Sequence, residues 1–83
     1  MHAVGNIAVF SWPAKLKSGR WAAYYQLFEI QKDGDLRPLI GGGPKPAASA
    51  DRAYEIAWTL GVEAARAVLG DASLPVAPWP RMD

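Results

Sequence analysis

Residues 49–70, SADRAYEIAWTLGVEAARAVLG, constrain this chain more than any other stretch. The segment reads as one helix with both ends marked. Ser49 can cap the first turn through its hydroxyl. Asp51 suits the positive end of the helix dipole and Arg66 the negative end. Gly70 supplies the residue that commonly ends a helix in the left-handed conformation.

At about 100° per residue, Arg52, Glu55, Thr59, Glu63 and Arg66 fall within one arc of roughly 80°. That arc is the water-facing stripe, with Arg52–Glu55 and Glu63–Arg66 as expected i,i+3 pairs. Ala53, Ile56, Ala57, Leu60, Ala64 and Ala67 form a second face of mostly small residues, suited to lying close on a sheet. Tyr54, Trp58, Gly61, Val62, Ala65 and Leu69 form a third face that carries the bulk. A surface helix needs only one apolar stripe, yet here roughly two thirds of the circumference favours burial. Two covers are open to the third face. One is the proline-rich tail. The other is a second copy or another protein, met by an interface of Tyr54, Trp58, Val62, Ala65 and Leu69, since exposed aromatic clusters usually mark contact sites.

Residues 6–12 (NIAVFSW) read as the first strand, rich in β-formers and stopped or bulged by Pro13. Residues 14–19 (AKLKSG) are a basic loop with a Ser-Gly turn signal. Residues 20–32 (RWAAYYQLFEIQK) are the longest strand expected. Its two faces, Trp21, Ala23, Tyr25, Leu27 and Ala22, Tyr24, Phe28, Ile30, are both largely apolar. A half-solvated hairpin alternates cleanly, and this one does not. The sheet therefore also calls for cover on two sides, from the helix and tail or from a dimer across the open sheet face. Asp33-Gly34 is a hairpin turn signal. Residues 35–40 (DLRPLI) follow as an edge strand, demoted by Pro38. Residues 41–48 (GGGPKPAA) read as a flexible link into the helix. Residues 71–83 carry Pro75, Pro78 and Pro80, which favour an extended strip.

The expected fold is α+β: a three-stranded antiparallel sheet, then one long helix, β-β-β-α, with the proline-rich tail packed across it. The whole chain of 83 residues forms one small domain in this reading. Several unrelated small domains share this element order. No family motif is matched in residues, and element order alone does not give function.

With 51% hydrophobic residues and nine aromatics, disorder is not expected. The absence of cysteine removes disulfides, thiolate nucleophiles and zinc-thiolate sites, and favours a reducing cytoplasm. No apolar run approaches the roughly 18–20 residues of a membrane span. The first residues lack the basic n-region of a signal peptide. Net charge is +1, split as 6 − 3 = +3 over residues 1–45 and 3 − 5 = −2 over residues 46–83.

Catalytic signals are weak. His2 is the only histidine, with no partners in sequence to build a base or metal site. Gly41-Gly42-Gly43-Pro44-Lys45 lacks the glycine before the lysine and the Ser/Thr after it that a phosphate-binding loop requires. Glu29, Asp33 and Asp35 are too few for a calcium loop. Glu55 and Glu63 stand about 12 Å apart along a helix, too far for a paired-carboxylate hydrolase. The sequence points away from an enzyme, and no cofactor, metal, small-molecule substrate or membrane is expected.

Two functions from different classes remain. The first is a small non-catalytic interaction or regulatory module of the accessory kind carried on phages and plasmids. It is expected to be a homodimer or to occlude a larger protein. The second is a nucleic-acid-binding hairpin built on Trp12, Lys15, Lys17, Arg20 and Trp21. Its aromatics could stack on bases beside cations that meet phosphates. The low net charge favours the first, because dedicated nucleic-acid domains are usually more basic.

Overall fold

The computed structural model describes residues 1–79; the part of the expected tail at 80–83 lies outside the described residues. Among the described residues the order is β1 (His2–Val4), β2 (Ile7–Lys15), β3 (Trp21–Ile30), β4 (Leu36–Ala47), α1 (Ala50–Leu69) and β5 (Val76–Pro78). The class is α+β, with one helix and a five-stranded antiparallel sheet of order β4-β3-β2-β1-β5. Three strands were expected. The additional two, β1 and the edge strand β5, are short segments, and both come from stretches whose sequences lack a strand signature.

β1 is too short to show a period of two, and it forms because Gly5-Asn6 turns it back onto β2 with Val4 opposite Ile7. β5 comes from the proline-rich tail. Arg66 Nε donates to the Leu74 carbonyl at 3.0 Å, tying the tail to the end of α1. Val76, Ala77 and Pro78 then pair with Val4, Ala3 and His2. This part of the tail therefore extends the sheet instead of lying across the helix. Arg66 is thereby drawn away from the expected partner Glu63, whereas Arg52 and Glu55 do pair, at 2.9 Å.

β2 runs through Pro13 to Lys15 rather than stopping at Trp12. The Leu16 amide bonds to the Arg20 carbonyl, and antiparallel pairs alternate between bonded and unbonded positions. Pro13, three residues back, takes an unbonded position opposite Ala23, so its nitrogen faces away from β3. β1 does not reach that far, so no ladder bond is lost there. The residue pairing places a similar hairpin at Lys32–Gly34, where Gly34 N–H bonds to the Gln31 carbonyl.

The expected flexible link is the second half of β4, which continues to Ala47. Its glycines make room for β3. A β-carbon on Gly42 would overlap the Tyr25 ring, which lies across that backbone. Two register shifts let β4 bend around the crowded stretch.

The helix is capped as the sequence indicates. Ser49 Oγ accepts from Arg52 N–H at 3.1 Å, and Gly70 closes the far end at φ 71°. The side it buries is not either of the two apolar faces expected. It is the seam between them: Ala53, Ala57, Gly61, Val62 and Ala65. Four of these are small and spaced four apart, forming a flat strip that brings α1 down onto β2 and β3. Val4, Ile7, Val9, Leu27, Val62 and Ala65 form the main core, and Ala23, Ala53 and Ala57 a second cluster.

Candidate interaction surface

Strand parity assigns the residues paired in register to the helix side or the far side. Ile7, Val9, Ala23 and Leu27 are core residues under α1. Their partners in register define the helix side: Glu29 opposite Ile7, Leu27 opposite Val9, Tyr25 opposite Ser11, Ala23 opposite Pro13 and Trp21 opposite Lys15. The far side then carries Ala8, Phe10, Trp12 and Ala14 of β2 and Ala22, Tyr24, Gln26, Phe28 and Ile30 of β3. β4 adds Leu36, Pro38, Gly41 and Pro46 opposite Ile30, Phe28, Gln26 and Ala22. Among the described residues, no helix or strand packs over this face.

The face is organised around two aromatic pairs. Phe10 and Phe28 meet edge to face with centroids 5.0 Å apart. Trp12 and Tyr24, directly opposite in register, stack at 5.8 Å with planes 8° apart. Such pairs are worth about 0.5–1.5 kcal/mol beyond their buried area. They hold the rings in a fixed sheet of aromatic surface between the alanines. Trp12 is 42% exposed, and Ile40, which follows Leu39 packed on the helix-side core and so turns to the other face at the register shift, is 54% exposed. Gln26 is the polar centre of the face, and its amide donates to the Leu27 and Leu39 carbonyls at 2.9 and 3.1 Å. Its amide hydrogens are therefore used within the chain.

Charge is segregated from this surface. Lys15, Glu29, Arg37 and Lys45 are the charged residues of the five strands, and each has helix-side parity. Glu29 and Arg37 face each other there at 4.0 Å. Among the described residues, the far side of the sheet carries no Lys, Arg, Asp or Glu.

The expected helix interface does not form one accessible patch. Val62 (6% exposed) and Ala65 (0%) lie in the main core, and Trp58 and Leu69 are half-buried against it. Tyr54 alone of the five is exposed. The reason is the small-residue strip: it seats the helix on the side that carries Gly61, Val62 and Ala65. Trp58 is further covered by β1, where His2 meets it edge to face at 4.0 Å. His2 is thus half-buried in a strand. Its imidazole titrates below the ordinary 6.5, first because burial removes water from the charged form and second because the terminal ammonium is nearby.

The five residues of the basic hairpin are also divided. Trp12 is on the open face. Trp21 is on the helix side, packed against the Ala23–Ala53–Ala57 cluster. Lys15 shares the parity of Trp21, while Lys17 and Arg20 belong to the exposed loop. The two tryptophans therefore point to opposite faces of the sheet rather than flanking one basic surface.

Sequence reasoning missed Phe10, Pro38 and Ile40 as surface residues. The available signal was the two-sided apolar character of β3, extended by register onto β2 and β4. A cleft of about 400 Å³ opens at the β1–β5 margin, lined by Ala3, Gly5, Leu74, Pro75, Ala77 and Trp79. No protein-family model, curated protein or solved structure matches this chain.

Proposed function

We propose that the chain is a small non-catalytic protein-interaction module whose working surface is the open face of its sheet. The observation that carries this reading is the aromatic face of Phe10, Trp12, Tyr24 and Phe28, free of charge and of any covering element among the described residues. Exposed apolar patches of more than a few hundred Å² are rare on monomers and mark contact sites.

The sheet edges favour the same reading. Pro38, Pro44 and Pro46 interrupt β4, and Pro75 and Pro78 flank or occupy β5. Prolines on edge strands remove amide donors and discourage pairing with another strand. Pro38 sits at an unbonded position opposite Phe28, so its nitrogen faces the free edge. With one face under α1 and both edges blunted, the open face is the surface left for a partner. Regulation of a larger protein by occlusion belongs to this class of function.

Charge insertion tests the reading. Trp12→Glu, Tyr24→Lys and Ile40→Glu should each keep the fold, at a cost of about 1–3 kcal/mol for the two that break the Trp12–Tyr24 stack and under about 1 kcal/mol for Ile40. Each should also reduce the binding of anilinonaphthalene sulfonate or of a partner to the face. If all three variants unfold, the face is internal core and the proposal fails.

A further inference from the structure

We infer that the occupant of the open face is a second copy of this chain, packed face to face about a two-fold axis. The inference rests on the interaction-module reading above and names its partner. In a two-fold interface each patch meets the same patch of the other subunit. A charged patch would then oppose itself. This face avoids the conflict because Lys15, Glu29, Arg37 and Lys45 all have the other parity. A dedicated surface for a charged heterologous partner gains selectivity from complementary charge, and none is present here.

The geometry of the patch fits a sandwich. Two twisted sheets pack in near alignment, about 10 Å apart, with side chains interdigitating. Phe10, Trp12, Tyr24, Phe28 and Ile40 project from the face beside the smaller, half-buried Ala14, while Ala8 and Ala22 are already covered by their neighbours. The rings supply the relief that a facing sheet would interdigitate with. Strands about 4.8 Å apart and about 3.3 Å per residue give β2, β3 and β4 a face of roughly 500 Å² per subunit. Two such faces reach about 1,000 Å², the size a specific interface has to clear. Gln26, already bonded to Leu27 and Leu39 carbonyls, can be buried at the centre without stranding its amide hydrogens.

Sedimentation equilibrium on the intact chain tests this. The parent should sediment as twice 9.0 kDa. Trp12→Glu should shift it to the monomer with at least a hundredfold weaker association, while still unfolding cooperatively at a midpoint lowered by the lost association and the lost Tyr24 stack. Tyr54→Glu, on the helix side, should leave the dimer intact. A dimer that survives Trp12→Glu and dissolves with Tyr54→Glu overturns the inference by moving the interface to the helix. A parent that stays monomeric at millimolar concentration also overturns it. In that case binding of anilinonaphthalene sulfonate, lost in Trp12→Glu, leaves the interaction-module reading standing for another partner. A monomer that binds no dye ends both.

Discussion

Gly61 lies so close over Val9 that a β-carbon added to it would stand 2.7 Å from Val9 Cγ1. The same added atom would touch Ser11 Oγ and Tyr25 Cβ, each at 3.4 Å. Here α1 lies in close contact with β2 and β3. That contact fixes which side of an ambiguous helix is buried, and therefore which side of the sheet is left open.

Gly61→Ala should destabilise the protein, although alanine is the better helix former by about 1 kcal/mol. Val9 is a fully buried core side chain and has little room to yield. Overpacking of this kind costs typically about 1–3 kcal/mol. A net loss of about 1–2 kcal/mol is expected in urea unfolding followed by circular dichroism. Thr59→Ala, on the exposed stripe, should stay within about 0.5 kcal/mol. Stabilisation by Gly61→Ala would mean the helix sits higher than described.

Trp58 and Tyr54 should part company on truncation. Trp58 packs on the main core and on His2, so Trp58→Ala should cost about 2–3 kcal/mol. Tyr54 is 45% exposed, and Tyr54→Ala should cost under about 1 kcal/mol. Equal costs would return both aromatics to a single interface.

Stability should rise with pH through the histidine range. The folded protein holds His2 below its ordinary 6.5, so in that window the unfolded chain binds more protons. Stability therefore grows as the pH climbs past the folded value toward 6.5, and is lost as acid protonates the half-buried ring. His2→Phe should keep the aromatic contact with Trp58 and flatten this slope. Thermal melts between acidic and neutral pH check the sign.

The basic hairpin should not act as a nucleic-acid site. Fluorescence anisotropy with a labelled oligonucleotide is expected to show weak binding, unchanged by Lys15→Ala, Lys17→Ala and Arg20→Ala together. Tight binding that falls steeply with salt and disappears in that triple variant would restore the alternative.

The helix was legible because its signals are local and mutually consistent. Ser49, Asp51 and Gly70 mark ends that depend only on neighbouring backbone. β3 was legible for the same reason, through its long run of apolar and aromatic residues and its Asp33-Gly34 turn. β1, β5 and the second half of β4 were not. A three-residue strand has no period, and the glycines and prolines of β4 read as linker until Tyr25 is placed across Gly42. The buried side of α1 was also hidden. Small residues suited to a sheet were read on one face, with Ala53 and Ala57 there and Gly61 and Ala65 assigned to the bulkier one. The helix instead sits on the seam that joins all four. The apolar far side of β3 was in the sequence, but its extension to Phe10, Trp12 and Ile40 needed the register.

An isotope-filtered NOE spectrum of an equal mixture of carbon-13-labelled and unlabelled chain tests the central claim most directly. Cross-peaks between subunits should connect the rings of Phe10, Trp12, Tyr24 and Phe28 and the Ile40 methyls. Cross-peaks from Tyr54 or Trp58 in their place, or none at all at millimolar concentration, would contradict a face-to-face pair.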